Sequence, residues 1–261
     1  MAGIVATMGM MAAMQVMGHL LPRVPGQGLL TRDTVINLST GTCLYVVRWL
    51  LPLGLLASVM GGGLIDLSFI NLPLLQFLIL FLVTDLSRYW LHYAHHRIPF
   101  LWQFHRVHHS SRTLDATSGL RMHVVDFVQL SLLPVVVTGL LFDVRSFSPD
   151  VFVSLGFVVA GFDSFQHANL QFELNHPLRR AWDRLFNNPH FHSWHHTAHI
   201  EACGDGNYGQ ALTVWDRAFG TCVSQENACT DLGLSEDQHL EETMLGLQLL
   251  KPAPAAVGNG A

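Results

Sequence analysis

Charge is scarce in this chain. Of its 261 residues only 13% are Asp, Glu, Lys or Arg, while half are hydrophobic and the mean hydropathy is +0.33. A soluble domain typically carries about 25% charged residues. Cysteine is sparse too. The four present (Cys43, Cys203, Cys222, Cys229) form no CxxC pair and no dense framework, which argues against a disulfide scaffold or a thiolate zinc site. No basic patch accompanies the net charge of −5, so nucleic-acid binding has no support. Nothing reads as a linker between separately folded units, and the length allows one or at most two domains.

Long apolar runs are present instead. Met1 to Leu21 contains no Asp, Glu, Lys or Arg, about the ~20 residues that a spanning helix needs. It lacks the basic n-region and small-residue cleavage site of a signal peptide, so it is read as a retained span. A second candidate runs from Thr42 to Met60, with Arg48 near one end to snorkel toward headgroups. Gly61, Gly62 and Gly63 make a turn, and a third candidate follows from Leu67 to Thr84. Two shorter apolar runs, Phe127 to Phe142 and Val151 to Phe162, are separated by the turn chemistry of Arg145, Pro149 and Asp150. They form a hairpin, within residues 127–165, that crosses the bilayer or dips into it. The expected fold is all-α: a polytopic membrane helical bundle of about four to five membrane segments.

Topology then orients the polar segments. A hairpin that returns to the side it left puts the blocks Arg88–His123 and Gln166–His199 on one face of the membrane. Counting back through three spans adds the Pro22–Gly41 loop to that face. Of the 14 Lys and Arg only Arg145 falls on the other side, and the positive-inside rule makes the face cytoplasmic. An integral, multi-pass protein with a cytoplasmic histidine-rich cap is expected.

Histidine is the abundant functional residue. There are 16, and 14 lie between His92 and His199. Three clusters share one spacing: His92-Tyr-Ala-His95-His96, His105-Arg-Val-His108-His109 and His192-Ser-Trp-His195-His196. Positions i, i+3 and i+4 share a helix face, so each cluster aims two or three imidazoles at one point. Imidazole suits iron, copper, nickel and zinc, and ionisable groups beside a bilayer are usually functional. Eight or nine imidazoles exceed what one tetrahedral zinc takes and match two ions of higher coordination number. Soluble di-iron bundles mix Glu with His through Glu-x-x-His motifs; the expected helices have none, so an all-nitrogen ligand set is implied. Carboxylates behind the imidazoles should offset part of the metal charge, with Asp85, Asp126, Asp163, Glu201 and Asp205 as candidates.

These motifs resemble the fatty acid hydroxylase/sterol desaturase superfamily of membrane di-iron, histidine-box enzymes. The resemblance is carried by Asp85-Leu-Ser-Arg-Tyr-Trp-Leu-His92 with His96, by Leu101-Trp-Gln-Phe-His105-Arg-Val-His108-His109-Ser110-Ser111, and by Arg121-Met-His123. Further on it includes Gln166-His167-Ala-Asn169, Pro189-His-Phe-His192-Ser-Trp-His195-His196, Asn207-Tyr208-Gly209 and Trp215-Asp216-Arg217-Ala-Phe219-Gly220-Thr221. It covers about half the chain, from Asp85 to Thr221. It implies two iron ions at the cytoplasmic mouth of a helical bundle, with O2 as co-substrate and a lipid C–H bond as the target of hydroxylation or desaturation. Carried over residue by residue, the implied metal ligands are His92, His96, His105, His108, His109, His167, His192, His195 and His196. The family pattern H-x3-H selects His92 and His96; spacing alone also admits His95. His123 falls in an element usually written His-Pro, but Val124 follows here, so substrate positioning or helix packing stand beside ligation. Asp163 lies four residues before His167 and on the same helical face. With Asp85 and Asp126 it completes the set expected behind the ligands.

The resulting division is 1–84 for the N-terminal membrane helices, 85–223 for the catalytic region, and 224–261 for a partly disordered cytoplasmic tail. Within that tail, Asn227 to Leu250 could form an amphipathic helix on the membrane surface. The sequence contains no haem-type cytochrome module, Rossmann fingerprint or iron–sulfur cysteine set. A separate electron donor of the cytochrome b5, ferredoxin or flavin reductase type is therefore expected, alongside lipid substrate and bilayer. Two rivals remain open. A histidine-rich metal-binding or transport protein would place its ligands inside the spans, lining a pathway. A zinc-dependent membrane hydrolase would need a general-base Glu, as in H-E-x-x-H, and no Glu adjoins a cluster.

Overall fold

Prolines set the punctuation of this helical chain. The computed structural model describes residues 2–50, 62–172, 175–199, 205–223, 229–235 and 238–253. Residues 51–60 of the second expected span, the Gly61 end of its turn, Glu201, Cys203 and the tail beyond 253 lie outside the described residues, as does the side chain of Arg48. Helices α1 (Ala2–Leu20) and α2 (Arg32–Leu50) come first. Helix α3 (Pro73–Arg97) starts on a proline at its first turn and stops at Ile98, which is extended because Pro99 follows. Pro99 then opens α4 (Pro99–His109), turning the chain sharply at its histidine-rich end. Helix α5 (Val124–Leu141) is capped by the side chain of His123, and α6 (Pro149–His167) again opens on proline. A 3-10 turn at Ser118–Leu120 and the short α7 (Pro177–Leu185), α8 (Pro189–His195), α9 (Val214–Phe219) and α10 (Met244–Gln248) complete the described helices.

Helices α3, α5 and α6 pack together, with α1 against α6. Far from the histidines the hairpin turn is fixed by a parallel two-residue pair, β1 (Ile65–Asp66) with β2 (Phe142–Asp143). Gly63 lies so close to this turn that a Cβ there would sit 2.2 Å from the carbonyl carbon of Phe142. Beneath the pair, Leu67, Ile70, Leu80, Val144, Phe147 and Val151 form a core that joins the turn to α3 and α6. Helix α5 thus runs away from the histidines and α6 returns to them.

Among the described residues, α3 and α5 are long and apolar enough to cross a membrane. Only 33% and 28% of their most apolar windows are buried. Their apolar surface therefore faces outward, unlike that of a core helix in a soluble protein. The third expected span differs from the observed helix. Helix α3 begins at Pro73 and continues to Arg97, past Asp85 and Arg88. Both charges are buried and partnered: Asp85 accepts from Ala211 N, Leu212 N and Trp215 Nε1, and Arg88 pairs with Asp163 at 3.1 Å.

Residues 229–235 and 238–253 pack back onto the histidine end. Leu232 and Cys229 join Leu114 and Trp194, while Leu240 and Leu247 join Ile36 and Val107. Gln248 accepts from Val124 N and His123 Nε2 and donates to the Met122 carbonyl. The only α-helix in this segment among the described residues is α10.

Candidate metal centre

Four elements deliver the imidazoles. On α3, His92 and His96 are one turn apart and face the same way, as are His105 and His109 on α4. His108 points to the neighbouring side of α4. Helix α8 divides similarly, with His192 and His196 on one side and His195 on the other. His167 closes α6. The structure brings these nine together in two groups, each with candidate donor atoms within 4.8 Å of one another: His92, His96, His105, His109 and His195 in the first, His108, His167, His192 and His196 in the second. Helices α4 and α8 contribute to both groups and so lie between them.

Six of the nine have Nδ1 held by an oxygen acceptor. His92 donates to the Tyr208 carbonyl (2.8 Å), His108 to Arg121 (3.3 Å), His167 to Asp163 (2.6 Å) and His195 to Gly206 (2.9 Å). His105 faces the Asp126 carboxylate and His96 that of Asp205, both at 3.0 Å. A carbonyl or an ionised carboxylate only accepts, so these Nδ1 atoms carry the proton, that of His92 with the Gln210 amide 2.8 Å away turned to present its oxygen, and a neutral ring then presents a lone pair at Nε2. Those lone pairs face one another: His92 Nε2 lies 3.0 Å from His105 Nε2, and His108 Nε2 lies 3.2 Å from His167 Nε2. Without a proton between them such contacts are repulsive. Two imidazole nitrogens bound at right angles to one cation, each about 2.1 Å from it, are separated by about 3 Å. The donor set therefore fits a divalent metal in each group.

The other polar candidates take different places. Asp126 is fully buried under His105. Asp163 meets His167 through its main-chain carbonyl and spends its carboxylate on Arg88. Asp85 touches no imidazole; it fastens α3 to residues 211–215, beside the segment whose Tyr208 carbonyl holds His92. His95 is stacked on His105, with Nε2 2.8 Å from Gln129 Oε1 and 3.6 Å from Asp126, and shares a third candidate group with those two residues. His123 uses both nitrogens elsewhere, Nδ1 accepting from Val125 N and Nε2 donating to Gln248. Sequence reasoning missed the carbonyls of Gly206, Tyr208 and Arg121, since any residue type supplies one. Their indirect signal is Asn207-Tyr208-Gly209. Asn207 adopts φ 61°, and a Cβ on Gly209 would meet the Leu212 carbonyl at 2.4 Å and Asp216 at 2.7 Å.

The pattern that defines the fatty acid hydroxylase family matches residues 77–221, 145 of the 261 in the chain. The chain belongs to the fatty acid hydroxylase family. It is 30% identical over 158 residues to the ornithine lipid hydroxylase OlsE of Rhizobium tropici, covering 59% of this chain and 44% of that protein. It is 32% identical over 147 residues to the alkylglycerol monooxygenase of Xenopus tropicalis, covering 56% and 30% respectively. A putative methylsterol monooxygenase of Dictyostelium discoideum is 29% identical over 157 residues, 58% of this chain and 52% of that one. The chain thus spans about half the length of these relatives or less. No solved structure matches it.

In this fatty acid hydroxylase family member, burial and mutual proximity hold His108, His109, His192 and His196 well below the usual imidazole range, and burial brings His195 down to about 3. An unfolded chain takes up protons at these positions below about pH 6.5, whereas the folded site refuses them. Stability is then lost as pH falls from about 6.5 toward 3. Asp216, raised by burial to about 6, works in the opposite sense between about pH 4 and 6, and half-buried Asp205 is raised as well, but the depressed imidazoles outnumber such carboxylates. The melting temperature of chelator-treated protein is expected to fall steadily from pH 7 to pH 5. A flat or rising profile would contradict the burial of neutral imidazoles.

Proposed function

We propose that the chain is a membrane-bound, non-haem di-iron oxygenase that hydroxylates a C–H bond of a lipid. The observation that carries this reading is the pair of histidine groups with opposed Nε2 lone pairs, in a member of a family whose named relatives are lipid hydroxylases and monooxygenases. The proposed ligands are His92, His96, His105, His109 and His195 for one ion and His108, His167, His192 and His196 for the other. Iron held by these residues would supply the activation of O2, so that with two electrons and two protons one oxygen atom enters the lipid C–H bond and the other leaves as water. The electrons come from a separate donor of the cytochrome b5, ferredoxin or flavin reductase type. The bundle is proposed to cross the membrane through α3, α5 and their neighbours, with the histidine end cytoplasmic.

The chain's own residues orient the ligands, offset charge and exclude water. Nδ1 acceptors lock six rings with Nε2 turned inward. Asp126 and Asp205 each place a carboxylate behind a ligand of the first group and offset part of the metal charge. Trp102 packs on His96 and His109 with ring centroids at 5.1 and 5.4 Å, and Tyr208 packs on His96 at 5.1 Å. Eight of the nine ligand residues are buried, and the side chain of the ninth, His96, is 1% exposed. A dry site of this kind protects a reactive oxidant from competing water. No side chain is required as acid or base, so orientation of the C–H bond is the main remaining task.

The test combines metal analysis with lipid mass spectrometry. Purified protein is expected to hold about two iron ions per chain, and cells carrying the gene to accumulate a lipid that has gained one oxygen atom only when O2 is supplied. A product lacking two hydrogens would reassign the chemistry to desaturation. Stoichiometric zinc with lipid hydrolysis and no O2 uptake would sink the oxygenase reading.

A further inference from the structure

Helix α7 leaves its apolar face uncovered. Leu178, Trp182 and Leu185 recur at i, i+4 and i+7 on one side, and Arg179, Arg180 and Arg184 occupy the rest of the surface. No residue of this helix is buried, and those three apolar side chains are 75%, 40% and 51% exposed. A single exposed leucine is ordinary; here three apolar residues stand in register along nine, with only Trp182 packed at its inner edge, against Phe165 and Phe186, and the two leucines left open. Among the described residues none of the three arginines pairs with a carboxylate. The helix's one acid, Asp183, is turned inward to Arg217 at 3.1 Å and Asn188 at 2.9 Å, so within the helix no carboxylate offsets the three arginines. Trp182 meets Phe165 edge-on with centroids 6.2 Å apart, and Phe186 stacks on Phe162 at 5.9 Å. Helix α7 therefore lies beside the C-terminal end of α6, at the level where the hairpin reaches the histidines.

We propose that α7 is an interfacial anchor, resting on the membrane reading above: it lies in the plane of the cytoplasmic leaflet and binds anionic phospholipid. Leu178, Trp182 and Leu185 enter the acyl boundary, and the three arginines sit among the phosphate and carboxylate groups of the lipid heads. The contact is tied to the metal centre. Asn188 donates to Asp183 on α7 and, through Oδ1, caps α8 by accepting from His190 N and Phe191 N. The anchor therefore sets the depth of the helix that carries His192, His195 and His196.

The full-length protein in nanodiscs of phosphatidylcholine, with or without phosphatidylserine, provides the test. Hydrogen exchange would be followed in α7 and, as a control for membrane insertion, in α5. Quenching of Trp182 by lipids with brominated chains would be read as the difference between the native protein and Trp182→Phe. Exchange in α7 is expected to slow by at least about tenfold when phosphatidylserine is present, since each arginine contributes about fivefold. An Arg179→Gln, Arg180→Gln, Arg184→Gln triple variant should lose that difference while α5 stays protected, and Trp182 should be quenched by the brominated chains. If α5 is protected but α7 exchanges equally fast in both discs, the anchor is wrong and the membrane reading stands. If α5 itself exchanges freely, the membrane reading fails and the anchor with it. Protection of α7 without quenching of Trp182 would assign its face to a protein partner and overturn the proposal.

Discussion

Replacing His108 by alanine is expected to leave about one iron per chain and to abolish lipid oxidation, whereas His95→Asn should retain about two. His108 belongs only to the second group, its Nε2 3.2 Å from that of His167, with Nδ1 held by the Arg121 carbonyl. Its loss leaves three imidazoles in a four-membered set and leaves the first group intact. Removing a residue that merely supports a ligand lowers metal affinity or activity by about 10–100-fold, and removing a ligand should exceed that. His95 is equally buried but lies behind His105, engaged with Gln129 and facing Asp126. Asparagine there should lower activity by less than that range. Iron analysis of the two purified variants decides the matter. Loss of iron from His95→Asn with retention in His108→Ala would reverse the assignment of the first motif and redraw the second group.

Asp85→Ala should be among the most destabilising single substitutions in the chain, at about 3–5 kcal/mol. The carboxylate is 3% exposed and accepts hydrogen bonds from Ala211 N (2.8 Å), Leu212 N (3.1 Å) and Trp215 Nε1 (2.9 Å). Alanine strands three buried donors, each costing about 1–3 kcal/mol when unmet, and relaxation keeps the total below their sum. The damage should reach the metal centre, because the same loop presents the Tyr208 and Gly206 carbonyls to His92 and His195. Asp85→Asn is a graded control, since its amide oxygen still accepts while its NH2 opposes a donor. Thermal unfolding together with iron content measures both effects. An Asp85→Ala protein that melts within a few degrees of the native one would show that α9 and the loop before it are held by other contacts.

Much of this site is legible in sequence because ligand spacing is local. His92 and His96, His105 and His109, and His192 and His196 each read as one turn of helix, and helices do form there. Which imidazole belongs to which group is not legible, because it depends on how α4 and α8 cross between the two. His105 and His108 are neighbours on one helix yet enter different groups. The extent of α3 was hidden for a related reason. Hydropathy ends a span at the first charge, but Asp85 and Arg88 find partners on residues 211–215 and on α6, which lie far off in sequence. Asp85, Asp126, Asp163 and Asp205 looked alike in sequence, and packing assigned them to loop anchor, support for His105, Arg88 partner and support for His96. The packing of residues 229–253 had no signal at all, since Leu232, Leu240 and Leu247 carry no period that points to Trp194 or Val107.

The division of the imidazoles between the groups has a temporal side. The first group draws four of its five members from residues 92–109, a stretch the ribosome completes before any of the hairpin exists. The second spans residues 108–196, and closing that much longer loop carries a larger entropic penalty. Only His195 joins the early cluster late. During synthesis, then, one histidine group is nearly complete at the bend between α3 and α4, while the other awaits the return of the chain through α5 and α6. On the proposed two-ion reading, a newly made chain would complete its metal sites in that order, the second closing on a bundle already in place.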